Sequence, residues 1–219
     1  RQRQMCIRDR PEISDTDLKA PIYIDFGPTS LSATPWNNIT SHQESSTTSW
    51  IKDVENNYTN IGVRVLDGFT ATHAGVGSEP ASPVTVDGVE FPLTAWKDGL
   101  LVKGEKNQGD VGPGRIEISQ LDVARKYNFT ILAIRFNGSK DARISSYKLV
   151  GKTESAVKEV KTGIKDAASF AAANFEEYIA KFENVEPDSE GKVIVEVKGL
   201  DTGSAAEGHI NALCISLAK

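Results

Sequence analysis

The sequence predicts an all-β protein folded as a jelly-roll β-sandwich, on three observations. A β-branched and aromatic segment, Ile22-Tyr23-Ile24-Asp25-Phe26, stands near the start. A polar and aromatic corner, Trp36-Asn37-Asn38-Ile39-Thr40, follows a short turn-rich gap. Late in the chain, Val185-Glu186-Pro187-Asp188-Ser189-Glu190-Gly191 punctuates two strands, and His209-Ile210-Asn211-Ala212-Leu213-Cys214-Ile215 closes the chain. A first strand, a corner and a closing strand describe one sandwich rather than a string of small modules. A length of 219 residues is enough for one such domain with a full core.

The elements follow in order. Residues 1–19 read as a leader, and residues 1–10, with four arginines and the unusual run Met5-Cys6-Ile7-Arg8-Asp9-Arg10, look like a translated adaptor end outside the fold. The domain is expected over residues 20–219. Pro21 and the Gly27-Pro28 turn bound the first strand. Thr29 to Ser49 is rich in Ser, Thr and Asn and reads as loop, with Trp50-Ile51-Lys52 a short extended piece. Ile61, Val63 and Val65 alternate on one face of a strand. Gly68 to Pro92 reads as a long loop, because Gly and Pro recur and periodicity fails. Gly104 to Gly114 is loop again, and Arg115 to Ser119 alternates as a strand. Tyr127 to Phe136 is continuously apolar, which predicts one strand in a central position. Asn137-Gly138 is a turn signal, and Ile144 to Val150 forms another strand. Residues 166–184 are ambiguous: the alanines and the Phe170, Phe175, Tyr178, Phe182 stripe suit a helix, whereas Tyr178, Ala180 and Phe182 also alternate. Lys192 to Val197 is a strand.

Composition excludes several classes. The net charge of −5 argues against a nucleic-acid partner, which needs a basic face. No apolar run approaches the roughly 20 residues of a membrane-crossing helix. His42, His73 and His209 are isolated and make no zinc pattern. There is no Gly-x-Ser-x-Gly elbow, phosphate-binding glycine loop or cysteine–histidine arrangement, so the chain is read as a non-enzyme. Cys214 reads as a small buried hydrophobe, without a disulfide to Cys6. Asn-x-Ser/Thr sequons begin at Asn38, Asn57, Asn128 and Asn137.

Ile24-Asp25-Phe26-Gly27, Trp36 to Thr40, Leu121 to Thr130, Arg143 to Tyr147, Val185 to Gly191 and Ile210-Asn211-Ala212 together resemble secreted bacterial β-sandwich modules with the galactose-binding-like jelly-roll fold. Such modules occur in surface and polysaccharide-degrading proteins, notably of Bacteroidetes. The resemblance covers about residues 20–217, with departures at Ala142 and over Phe170 to Glu177. It tips residues 166–184 toward strand–loop–strand. It implies a secreted or cell-surface module that binds a glycan or polysaccharide without catalysis, attached to other domains in a longer protein.

Sugar binding needs an aromatic platform beside polar side chains. Trp36 with Asn37 and Asn38, Trp96 with Lys97 and Asp98, and Trp50 supply those groups. Trp96 lies in a stretch without core periodicity, so Trp96→Ala is expected to weaken binding without lowering the melting temperature. Arg135 and Arg143 flank the Asn137-Gly138 turn and complete the candidate ligand set, with a solvated pairing to Asp141 as the blander alternative. The resemblance also implies a structural calcium, for which Asp25, Glu90, Asp98 and Asp110 offer oxygens without ligand spacing. Asn211, polar within an apolar strand, is expected to satisfy backbone groups. The competing readings are a spacer or adhesive domain without a sugar site, and a hydrolase using two facing carboxylates.

Overall fold

A computed structural model of the chain describes residues 18–103, 113–136, 143–200 and 207–219. The expectations on residues 1–17, the glycine-rich run to residue 112, Asp110, the Asn137-Gly138 turn, Asp141 and Ala142 lie outside the described residues. From the N-terminus, β1 (Ile22–Phe26), β2 (Trp36–Ile39), β3 (Thr47–Thr48) and β4 (Gly62–Asp67) lead to β5 (Ala71–His73), β6 (Val84–Val86) and β7 (Val89–Phe91). A short helix α1 (Leu93–Trp96) precedes β8 (Gly99–Lys103), β9 (Gly114–Ser119), β10 (Tyr127–Leu132), β11 (Arg135–Phe136) and β12 (Ile144–Val150). After β13 (Lys158–Lys161) and β14 (Gly163–Ile164) come α2 (Ala167–Ala171) and a 3-10 turn (Phe175–Tyr178). β15 (Ile179–Val185), β16 (Val193–Gly199), β17 (Glu207–Ile210) and β18 (Ala212–Leu217) complete the chain.

Two sheets carry the sandwich, one in the order β15-β10-β18-β1-β2 and the other β13-β12-β16-β9-β4-β3. Along the chain β9, β10, β12, β15, β16 and β18 alternate between the second sheet and the first, the crossing pattern of a jelly roll. β1 lies between the closing strand β18, antiparallel, and β2, parallel. Alternation puts Ile22, Ile24 and Phe26 of β1, Phe129 and Ile131 of β10, and Ile116 and Ile118 of β9 into one core between the sheets. Leu18 belongs to that core at 3% exposure, so packed structure begins inside the segment read as a leader. The far face of the second sheet is a cross-strand charge ladder. Arg115 Nε reaches Glu196 at 2.8 Å, and Lys148 Nζ reaches the same carboxylate at 3.1 Å.

The first sheet is covered on its other face too, but only over part of the length of its strands. There Val84, Val86, Phe91, Trp96, Leu132, Ile134, Phe170, Tyr178 and Ile179 form a second core. Its cover comes from the two segments that depart most from the sequence reading. Residues 68–92 are not a bare loop: they form β5 and the β6–β7 hairpin, which turns at Asp87-Gly88 with both residues at positive φ, 51° and 76°. Positive φ at both central positions is the type I′ requirement, which Asp-Gly meets at little cost. Residues 166–184 resolve into both alternatives. Asp166 caps α2 by accepting from the Ser169 amide at 2.8 Å, and the alternating half becomes β15. Trp50-Ile51-Lys52 forms no strand, and only Lys52 bridges to Tyr58.

Candidate functional site

The open part of that outer face is the candidate site. Strand register aligns Tyr23 with Cys214, Cys214 with Thr130, and Thr130 with Lys181, so these four make a row across β1, β18, β10 and β15. The neighbouring pair Asn128 and Ser216 lies one step along the same face. On the other side, the row Asp25, Ala212, Leu132 and Ile179 is buried, and the second core, to which the last three belong, extends to Cys214 and packs against Tyr23. A groove of about 240 Å³ follows the open row, walled by Asp87 and Val89 of the hairpin. It shares Pro21, Asn128, Glu183 and Ser216 with a wider depression of about 660 Å³ toward Leu18 and Lys219.

Chemically the groove sets an aromatic edge beside hydroxyl, amide and charged groups. Tyr23 packs against Trp36 in a tilted pair with ring centroids 5.1 Å apart, and Trp36 meets Phe91 at 5.7 Å. Burial, and then the neighbouring Cys214, raises the Tyr23 hydroxyl above its usual pKa, so it is a neutral donor. Burial likewise pushes the Cys214 thiol up, so this free cysteine is an unreactive part of the floor. Lys181 Nζ is held by Asp87 at 2.6 Å and Glu176 at 2.7 Å.

The residues expected at a ligand separate on the structure. Trp36 is half-buried outside the groove's lining, packed between Tyr23 and Phe91 in tilted pairs. Asn37 is committed to the backbone, donating to the Tyr23 and Lys52 carbonyls and accepting from the Lys52 amide at 2.8 Å. Asn38 clamps Ser32, accepting from its amide at 2.8 Å and donating to its carbonyl at 3.0 Å. Trp96 is corrected outright: at 0% exposure it stacks on Phe170 at 4.9 Å and donates Nε1–H to the Ser82 carbonyl. No ligand reaches it, because the hairpin and α2 have closed over a stretch whose short helix hid the core pattern. Arg135 and Arg143 lie away from the groove, beside Glu207. Trp50 is the tryptophan left outside, 40% exposed at φ 54°, on a loop where Lys52 Nζ sits 4.6 Å from the Tyr58 ring centre.

Sequence reasoning missed Tyr23, Thr130, Lys181, Asn128 and Ser216. The polar positions of the strands, read together as one face, were the available signal.

Among the calcium candidates, Asp25 and Asp98 come together while Glu90 is exposed on β7. Asp98 Oδ2 accepts from the Thr29 and Ser30 amides, and Asp25 Oδ2 from the Ser32 amide at 3.1 Å. Each keeps an Oδ1 without a partner, and both are 0% exposed. Two carboxylate oxygens fall short of the six to eight that calcium takes. Among the described residues no group of three or more His, Cys, Asp or Glu side chains is placed to hold a metal. Being sealed, the pair also cannot reach a glycosidic bond. Burial, reinforced by Asp98, instead raises Asp25 to about 7.

That shift sets a pH dependence. Between about pH 4 and 7 the folded chain keeps a proton that the unfolded chain releases, so the Asp25 contribution to stability falls as pH rises through this window. The limiting slope is about 1.4 kcal/mol per pH unit. Burial holds His209 at about 4 and His73 well below its usual value, so both act in the opposite direction up to about pH 6.5. Comparing wild type with Asp25→Asn removes their contribution. Denaturant unfolding should show the wild type losing stability relative to the variant from pH 5 to 7; parallel profiles would remove Asp25 as a proton carrier.

No family model matches the chain, and no curated protein matches it. Solved structures do. The ANX2 ectodomain from Arabidopsis thaliana aligns at TM-score 0.52 and 6% identity, over 90% of this chain and 49% of that one. A chain from the complex of the plant peptide RALF23 with FER and LLG2 aligns at TM-score 0.53 and 9% identity, over 90% and 48%. TmCBM61 in complex with β-1,4-galactotriose aligns at 0.32 and 13% identity, over 68% and 90%, too distant to bear on fold or function. The chain spans about half the length of the two plant proteins, and at such identities the likeness is one of fold alone.

Proposed function

We propose that this chain is a non-catalytic carbohydrate-binding module of a secreted or cell-surface protein, and that the glycan lies along the Tyr23–Thr130–Lys181 row. The observation that carries this reading is the partly open sheet face. The chain covers part of it with a hairpin and a helix and leaves the rest as a groove of aromatic, hydroxyl, amide and charged groups. A pyranose presents the same mixture, a C–H face between hydroxyls. Strands fix the spacing of the contacting groups better than loops do. The ordered resemblance to polysaccharide-utilising Bacteroidetes modules supports the same class and a place beside other domains.

A glycan array followed by calorimetry tests it. Tyr23→Ala and Lys181→Ala should each weaken binding of the best hit at least tenfold, while Trp50→Ala leaves it unchanged. The Lys181 change removes ion pairs that are partly exposed and contribute about 0–1 kcal/mol each, so folding is not at stake. Binding lost in Trp50→Ala and kept in both groove variants would move the site to the Trp50–Tyr58 loop. No hit from folded protein would favour the spacer. Structural calcium is not part of this reading, because Asp25 and Asp98 offer only two free oxygens; excess chelator should leave the melting temperature unchanged, and a lowered one would reinstate the ion.

A further inference from the structure

Away from the groove, five strands and their connections bury a cluster of cationic and polar groups whose donors outnumber their acceptors. Arg143, just before β12, has a side chain only 4% exposed. Its Nη2 reaches Glu207 Oε2 at 3.2 Å, while Nε and Nη1 are buried without a hydrogen-bond partner. Arg135 of β11 stands close enough for the two guanidinium groups to repel, and its own Nε and Nη1 are also buried and unpartnered. Between them lies Thr162, which accepts the Arg135 amide at 2.6 Å and donates its own to the Arg143 carbonyl at 2.9 Å. The Thr162 hydroxyl is fully buried and unpartnered. Behind these groups His209 and His73 meet edge to face at 5.1 Å; His209 Nε2 lies 3.7 Å from Glu207 Oε2, and His209 Nδ1 and His73 Nδ1 have no hydrogen-bond partner.

Charge does not balance within the cluster. Glu207 is the one carboxylate in ion-pair contact with either guanidinium among the described residues. Glu79 acts on Arg135 only at a distance, its oxygens being taken by the Val76 and Gly77 amides. Leaving one buried donor unsatisfied costs about 1–3 kcal/mol, and more for a charged group. Four guanidinium nitrogens and a hydroxyl, on residues that the Thr162 backbone ties together, are buried without partners and therefore call for acceptors. A single small oxyanion supplies several at once, and guanidinium groups match it by bidentate geometry. Arg135 and Glu207 are only half-buried, so the cluster lies near the surface.

We propose that Arg135, Arg143 and Thr162 form a binding site for one small oxyanion, either a carboxylate or a tetrahedral sulfate or phosphate group, separate from the glycan groove. His209, kept neutral by burial, lines its inner side without adding charge, and Glu207 orients Arg143 and limits the site to one anion.

The test titrates the whole chain at pH 7.5 with sodium glucuronate, sodium sulfate and sodium phosphate, against sodium chloride at matched ionic strength. Sulfate and phosphate stabilise proteins non-specifically by exclusion from their surface, so saturable calorimetric binding, not a rise in melting temperature, is the readout. At least one of the three should bind saturably where chloride does not, and Arg135→Gln, on the rim, should weaken it at least tenfold. Arg143→Gln should do the same; if that variant fails to fold, Arg135→Gln decides alone. Response to glucuronate only would identify a carboxylate site, and response to sulfate or phosphate a tetrahedral one. Absence of saturable binding to all three, or undiminished binding in Arg135→Gln, would overturn the proposal.

Discussion

Trp96→Ala is expected to destabilise the domain by about 3–5 kcal/mol, the range for removing a large aromatic side chain from a packed core. The indole is 0% exposed and fills the second core against Phe170, Phe91 and the outer face of β18 and β10. Its removal also forfeits the stacking on Phe170, worth about 0.5–1.5 kcal/mol beyond area, and strands the Ser82 carbonyl that Nε1–H satisfies at 3.2 Å. Denaturant unfolding gives the free energy directly. Glycan affinity of whatever folded protein remains should be near normal, since Trp96 does not line the groove. A variant of full stability with weakened binding would restore the opposite reading, a ligand-facing tryptophan.

Asn211→Ala should cost at least about 3 kcal/mol, because a single amide holds three backbone groups that no water can reach. Asn211 Nδ2 donates to the carbonyls of Trp96 at 2.9 Å and Asp98 at 2.6 Å, and Oδ1 accepts the Ile134 amide at 2.7 Å. The residue is 0% exposed, so truncation leaves all three unsatisfied. Asn211→Asp separates the roles: it keeps the acceptor, loses both donors and buries a charge. It should therefore be as damaging as Asn211→Ala, with unfolding monitored at pH 7. Mild loss in both variants would mean that the backbone groups find other partners.

Asn211 also explains where the strand reading and the structure part company. Tyr127 to Phe136 reads as one apolar strand, yet pairing with β15 and β18 ends at Leu132, and the Ile134 amide goes to Asn211. Around the same residue the closing strand divides into β17, in a small sheet with β8, and β18, in the sandwich. The sequence showed that Asn211 needed partners, but not that they would be carbonyls more than a hundred residues away. Strands whose inward residues alternate cleanly, such as Ile61, Val63 and Val65, were legible because burial on one face writes a period of two. The β6–β7 hairpin left a signal too, Asp87-Gly88 flanked by valines, but surrounding Gly and Pro obscured it and the segment read as loop.

The site was less legible than the fold for a physical reason. Aromatic residues serve both cores and ligands, and composition does not say which. Trp96 and Trp36 went largely to the core and Asn37 and Asn38 to the backbone, while groove residues such as Thr130 and Ser216 look in sequence like any solvated strand position. Only strand register brings Tyr23, Thr130 and Lys181 into one row.

The most direct measurement of the central claim is amide chemical-shift mapping of the isotopically labelled chain with its best array glycan. Perturbations should centre on Tyr23, Asn128, Thr130, Lys181 and Ser216 and leave the Trp50 indole unmoved. Shifts centred on Trp50 and Tyr58, with the sheet face unperturbed, would contradict the assignment of the groove.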